Sequence, residues 1–154
     1  MNTNTFQALD GRGLKMAIIA SRFNQEMTDA MLADCIDAFL SAGISKEDIF
    51  TLRVPGSFEL PSVAAVCAAQ KKYDAIVCLG VIVKGDTRHD EYIAHAVAQG
   101  LTNVSVQSKI PVLFGVLTTE NVAQAELRSL GGKKKGWEAG MSAVEMARLF
   151  KEIS

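Results

Sequence analysis

The sequence predicts an α/β protein: a four-stranded parallel sheet with helices on both faces, a three-layer α/β/α sandwich of the flavodoxin-like kind. Three observations predict it. Short apolar runs bounded by polar residues recur four times along the chain, the mark of buried strands. Between them lie segments whose apolar residues repeat at helical spacing. The intervals suit right-handed strand–helix–strand crossovers, which build parallel sheets rather than hairpins. No internal repeat, linker or low-complexity tract divides the chain, so a single domain is expected over residues 14–154, with 1–13 as a loose N-terminal arm.

The elements follow in order. Lys15 to Ala20 (KMAIIA) reads as the first strand. Leu32, Cys35, Ile36, Phe39 and Leu40 share a helical face, and Gly43 stands where a C-terminal cap belongs, which places a helix over about 25–42. Ile49 to Val54 is the second strand. An alanine- and valine-rich helix runs to about Gln70, with Pro61 tolerable only in its first turn. Ala75 to Val83 is the most apolar strand and is expected at the centre of the sheet. Its helix carries Ile93, Ala96, Val97, Gly100, Leu101 and Val104 on one side. Val112 to Leu117 is the fourth strand, and Thr118 to Asn121 opens a helix ending near Leu130. Gly131 to Gly136 reads as a flexible basic connector, and a last helix spans about Glu138 to Lys151. That helix has two adjoining apolar stripes, one of Ala143, Val144, Ala147 and Phe150, the other of Met146, Leu149 and Ile153. Only one can face the sheet, so the other predicts a subunit interface.

Bulk properties narrow the function. Apolar residues make up 49% of 154 and charged ones 21%, with a net charge of −1, so electrostatics give no reason to expect nucleic acid or an anionic membrane as partner. No apolar run reaches the ~18 residues of a membrane span, and Met1 to Leu14 lacks a signal-peptide core, so a cytoplasmic location is expected. Cys35, Cys67 and Cys78 are widely spaced among apolar neighbours and read as reduced, buried thiols rather than zinc ligands.

The chemistry gathers in Leu79 to Tyr92, where an apolar strand breaks at Gly85 and gives way to a helix. Past the carboxyl end of a strand, at the amino end of the next helix, is where open α/β sheets place their sites. His89 lies at that helix start. The positive end of the helix dipole favours the uncharged imidazole, which can accept a proton; a histidine serving only as a cap fits as well. Gly85, Asp86 and Thr87 offer backbone N–H groups and a hydroxyl suited to a phosphate. The nucleotide-binding glycine patterns are absent. Asp86, His89, Asp90 and Glu91 superficially resemble metal ligands, but acidic residues in a first helical turn are expected for dipole reasons, and no metal or other cofactor is expected. Phe23 and Phe58 stand in strand-to-helix loops opening on the same sheet edge as His89, placed to stack on a flat ring or to fold back as plugs. Ser57 and Glu59 flank Phe58 and could hydrogen-bond such a ring. Arg128 and Lys135 flank the glycine pair and could bind phosphate.

Several of these pieces together resemble the 6,7-dimethyl-8-ribityllumazine synthase family of riboflavin biosynthesis. The segments that carry the resemblance are Ser21-Arg22-Phe23-Asn24, Val54 to Pro61 (VPGSFELP), Leu79 to His89, Phe114 to Thr119, Gln124-Ala125 with Arg128, and Lys135-Gly136 followed by Ala143 to Ala147. The resemblance implies condensation of 5-amino-6-(D-ribitylamino)uracil with 3,4-dihydroxy-2-butanone 4-phosphate, without a cofactor. It implies Phe23 as the stacking aromatic, and Ser57, Phe58 and Glu59 around the pyrimidine and ribityl chain. Val81, Ile82 and Val83 would line the pyrimidine pocket, Asp86 and Thr87 would lie at the phosphate, and His89 would be the acid/base. Phe114 and Arg128 would come from a neighbouring subunit, Arg128 to the phosphate, with Lys135 near the same pocket. A homopentamer is implied, with further assembly into a sixty-subunit shell in some members. Three residues or segments depart from the family pattern: Lys84 replaces a usual arginine, Asp90 a usual aromatic, and the stretch from Arg128 to Lys135 is one residue short. A different class of function, non-catalytic binding of a flavin or pterin, fits the same loops.

Overall fold

The computed structural model describes residues 9–154. Four strands, β1 (Met16–Ser21), β2 (Ile49–Val54), β3 (Ala75–Val83) and β4 (Val112–Thr119), form one sheet in the order β2-β1-β3-β4. Every pairing is parallel. Five helices connect and cover them: α1 (Gln25–Ser41), α2 (Leu60–Ala69), α3 (His89–Ser108), α4 (Val122–Ser129) and α5 (Lys135–Ile153). Two short 3-10 turns, Lys46–Asp48 and Ser57–Glu59, precede β2 and α2.

The central strands β1 and β3 are buried on both faces, and their residues divide with the two-residue period of the pleat. Met16, Ile18, Ala20, Val77, Leu79 and Val81 pack with Met31, Cys35 and Phe39 of α1 and Val144 and Ala147 of α5. Ala17, Ile19, Ile76, Cys78 and Ile82 pack with Leu60 and Ala64 of α2 and Val97 and Leu101 of α3. This is the expected three-layer sandwich, with β3 inside the sheet. All three cysteines are free and buried.

The strand order decides where a ligand can sit. From β1 the chain goes to β2 on one side, then crosses to β3 on the other. The connections after β1 and β3 therefore diverge, and a crevice opens between them at the carboxyl edge, the usual switch point for ligand binding in such sheets.

The ends of several elements differ from expectation. β4 continues to Thr119 and α4 begins at Val122, because Asn121 is the cap: its side chain accepts from the Gln124 N–H at 2.9 Å. α5 starts at Lys135, not near Glu138, so Gly136 lies within the helix rather than in the connector. The glycine is there for proximity. A Cβ at Gly136 would stand 2.2 Å from the Met31 carbonyl oxygen, and one at Gly140 would stand 2.9 Å from the Ala38 Cβ. Of the expected N-terminal arm, residues 1–8 lie outside the described residues. Residues 9–13 are fastened: Gly11 N–H donates to the Ala42 carbonyl at 2.7 Å, and the Arg148 guanidinium donates to the carbonyls of Asp10 and Arg12. On α5, Ala143, Val144 and Ala147 are buried, while Leu149 and Ile153 of the second stripe are exposed.

Candidate active site

A cleft of about 730 Å³ opens at the β1/β3 switch point. Phe23, in the turn between β1 and α1, forms one wall and is 74% exposed; Phe58, in the turn before α2, is 61% exposed. Neither folds back as a plug, so two large apolar rings face solvent at the mouth of one cavity. Val81, Ile82 and Val83, the end of β3, supply the floor.

The side chains around this floor are held by their neighbours. Ser57 is buried and packs on β3 at Gly80, where an added Cβ would stand 2.3 Å from the Ser57 Oγ. Glu59 Oε2 accepts from the Gly56 N–H at 2.9 Å, which fixes the carboxylate against the turn that carries Phe58. Beyond β3 the chain passes through Gly85, Asp86 and Thr87 into α3. His89 is the first residue of that helix, and its N–H donates to Thr87 Oγ1 at 3.3 Å. Thr87 and His89 both line the cleft; Asp86 is exposed beside them and does not. Lys84 turns outward to Glu120, with Nζ 3.1 Å from Oε2, and that hydrogen bond and charge raise its pKa.

The other expected residues lie elsewhere. Phe114 on β4 and Lys135 at the start of α5 line a second hollow of about 270 Å³ with Glu138 and Ser142. Lys135 Nζ is 3.0 Å from Glu138 Oε2. Arg128, in the last turn of α4, lines neither hollow and donates to the Gln124 carbonyl at 3.0 Å. The two hollows share no residue. One chain thus brings together Phe23, Ser57, Phe58, Glu59, Val81, Ile82, Val83, Thr87 and His89, and leaves Phe114, Arg128 and Lys135 apart from them.

The cleft also has walls that the sequence reading did not assign to the site. Asn24 follows Phe23, and Tyr92 and Ile93 extend the His89 face of α3. For Tyr92 and Ile93 the signal was present in the spacing from His89, since residues three and four apart share a helix face. Asp90 also lines the cleft, and its Oδ1 is buried without a hydrogen-bond partner. Among the described residues no group of three or more His, Cys, Asp or Glu side chains is placed to hold a metal ion, and no helix is long and apolar enough to cross a membrane.

A family model described as 6,7-dimethyl-8-ribityllumazine synthase matches residues 13–151. The chain belongs to the lumazine synthase family. The match runs through all four strands and all but the last residues of α5, so both hollows lie in lumazine synthase sequence. The family works in riboflavin biosynthesis, and the α/β sandwich with its parallel sheet is the fold expected of it.

Proposed function

We propose that the protein condenses 5-amino-6-(D-ribitylamino)uracil with 3,4-dihydroxy-2-butanone 4-phosphate to give 6,7-dimethyl-8-ribityllumazine. The observation that carries this is the meeting of two solvent-facing phenylalanines, the end of β3 and a histidine in one cleft at the switch point. A flat heteroaromatic ring fits the space between Phe23 and the end of β3. Ser57, Phe58 and Glu59 flank the ribityl chain. Thr87 and Asp86, at the start of α3, receive the phosphate through backbone N–H groups and the threonine hydroxyl, since a helix N-terminus favours an anion.

The chemistry asks for proton transfer and positioning. The 5-amino group attacks the ketone and water leaves, giving an imine. Phosphate is then eliminated, and the second amine closes the ring with loss of another water. His89, at the mouth beside both reacting groups, moves protons in these steps, and holding the partners together supplies much of the rate. No organic cofactor or metal is called for.

Phe114, Arg128 and Lys135 complete the site of a neighbouring copy. Arg128 presents a planar fork to the phosphate and Phe114 a further aromatic wall. Their separation from the cleft of their own chain supports this, as do the exposed Leu149 and Ile153 of α5. A homopentamer meets the need, since a heterologous contact repeated about one axis closes into a ring.

The test is to mix the purified protein with both substrates and follow lumazine fluorescence and phosphate release. Product appears in parallel with phosphate on this reading. A bound yellow chromophore with no product from added substrates would instead identify a flavin- or pterin-binding protein.

A further inference from the structure

β1 and β3 pair from Met16 and Ala75 up to Ala20 and Leu79. β3 then runs on to Val83 with β4 still beside it. Backbone groups of alternate residues along a strand face the same neighbour. The Val81 carbonyl, two residues past Leu79, therefore faces the side on which β1 has ended. Val81 is only 3% exposed, and a buried carbonyl without a donor is strongly disfavoured.

The chain leaving β1 turns towards β2 instead. Arg22 N–H donates to the Val54 carbonyl at 2.8 Å and Phe23 N–H to the Pro55 carbonyl at 3.0 Å. The aromatic wall of the cleft is thus anchored to β2, while its floor belongs to β3. Asn24 joins them. Its Nδ2 donates to the Val81 carbonyl at 2.9 Å. It reaches across from the left-handed conformation, φ 58° and ψ 50°, which asparagine adopts more readily than most residues with a side chain. Asn24 is also the N-cap of α1, where an asparagine amide ordinarily bonds the first N–H groups of its helix. Here its backbone carbonyl accepts from Met27 and Thr28, and its side chain makes no capping bond. The amide is directed across the crevice, which local capping does not explain.

We infer that Asn24 is a positioning residue of the cleft. It takes the place of the strand that β1 no longer supplies and ties the Phe23 turn to the end of β3. The width of the slot between the Phe23 ring and Val81–Val83 follows from that tie. Asn24 also lines the cleft, and its positioning effect on a bound ring runs through Phe23 and Val81. The kinetic consequence rests on the function proposed above; the structural one does not.

Two variants test it. Asn24→Asp keeps the size and the tolerance of left-handed backbone but sets a carboxylate oxygen against the carbonyl. Asn24→Gly keeps the backbone conformation and removes the amide. In the ligand-free protein, amide hydrogen exchange at Phe23 is expected to quicken by about 5-fold or more in both, the weight of one net hydrogen bond, while the core of β3 keeps its protection. In turnover, both variants are expected to raise KM for the pyrimidine by about 5-fold or more, with kcat and the KM for the phosphorylated substrate within about 2-fold. Parent-like exchange at Phe23 in Asn24→Asp overturns the inference, as does a KM change shared equally by the two substrates. If the parent protein makes no lumazine, the functional reading fails on its own and the exchange measurement still decides the tie.

Discussion

His89 begins α3 at the rim of the cleft, with its backbone N–H on the Thr87 hydroxyl and its ring free to meet a substrate. His89→Ala is expected to lower turnover by roughly 10- to 10⁴-fold, the upper end being typical for a positioned acid/base. Unchanged turnover would remove His89 from the mechanism while leaving condensation by positioning intact. Gly80 makes a quieter demand. Its missing side chain leaves room for the Ser57 hydroxyl, so Gly80→Ala pushes Ser57 off β3 and narrows the cleft. A rise in KM for the pyrimidine is expected, with a stability loss of about 1–3 kcal/mol for the overpacked contact; parent-like kinetics and melting would show that Ser57 can move aside freely. Cys35 and Cys78 are different, since burial pushes both thiols well above their ordinary value near 9. Above about pH 9 the unfolded chain releases these protons and the native chain holds them, so stability falls as pH rises, by up to ~1.4 kcal/mol per pH unit for each thiol. Urea titrations at pH 8 and pH 10.5 should show a shallower fall in a Cys35→Ala, Cys78→Ala double variant. An identical fall would assign the effect to other groups.

Among the elements, the strands were the most legible. Four apolar runs with helical segments between them left little room for any fold but a parallel sandwich, and β3 announced its central place by apolarity alone. The helix ends were less legible because short-range signals carry two meanings. Gly136 reads as a breaker in a run of glycines and lysines, yet it sits in α5 where α1 comes too close for a side chain. Only the packing partner, more than a hundred residues earlier in the chain, decides between those meanings. Gly136→Ala is therefore expected to destabilise the fold by at least about 1–3 kcal/mol, even though alanine is the better helix former. Thermal unfolding measures it, and a stabilised variant would show that the two helices have slack. At the cleft, Phe23, Phe58 and His89 stood out as chemistry-bearing residues at loop positions, but Asn24 did not, since its amide crosses to a carbonyl fifty-seven positions away that no local pattern marks.

At the scale of the whole molecule, the chain carries two hollows with no residue in common. The cleft holds Phe23 and His89; Phe114 and Lys135 belong to the other hollow, and Arg128 lies with neither. On the proposed reading each working site is assembled from the cleft of one copy and from Phe114, Arg128 and Lys135 of the next. Damage to either set then has an arithmetic of its own. A His89→Ala chain and an Arg128→Ala chain would each be impaired when purified alone. Unfolded together and reassembled at equal amounts, they would place an intact cleft beside an intact partner wall at about one site in four, if copies mix at random around the ring. Rescue on co-refolding, absent when the two preformed variants are merely combined and assayed at once, would be genetic complementation written in protein; no rescue would mean that each chain works alone.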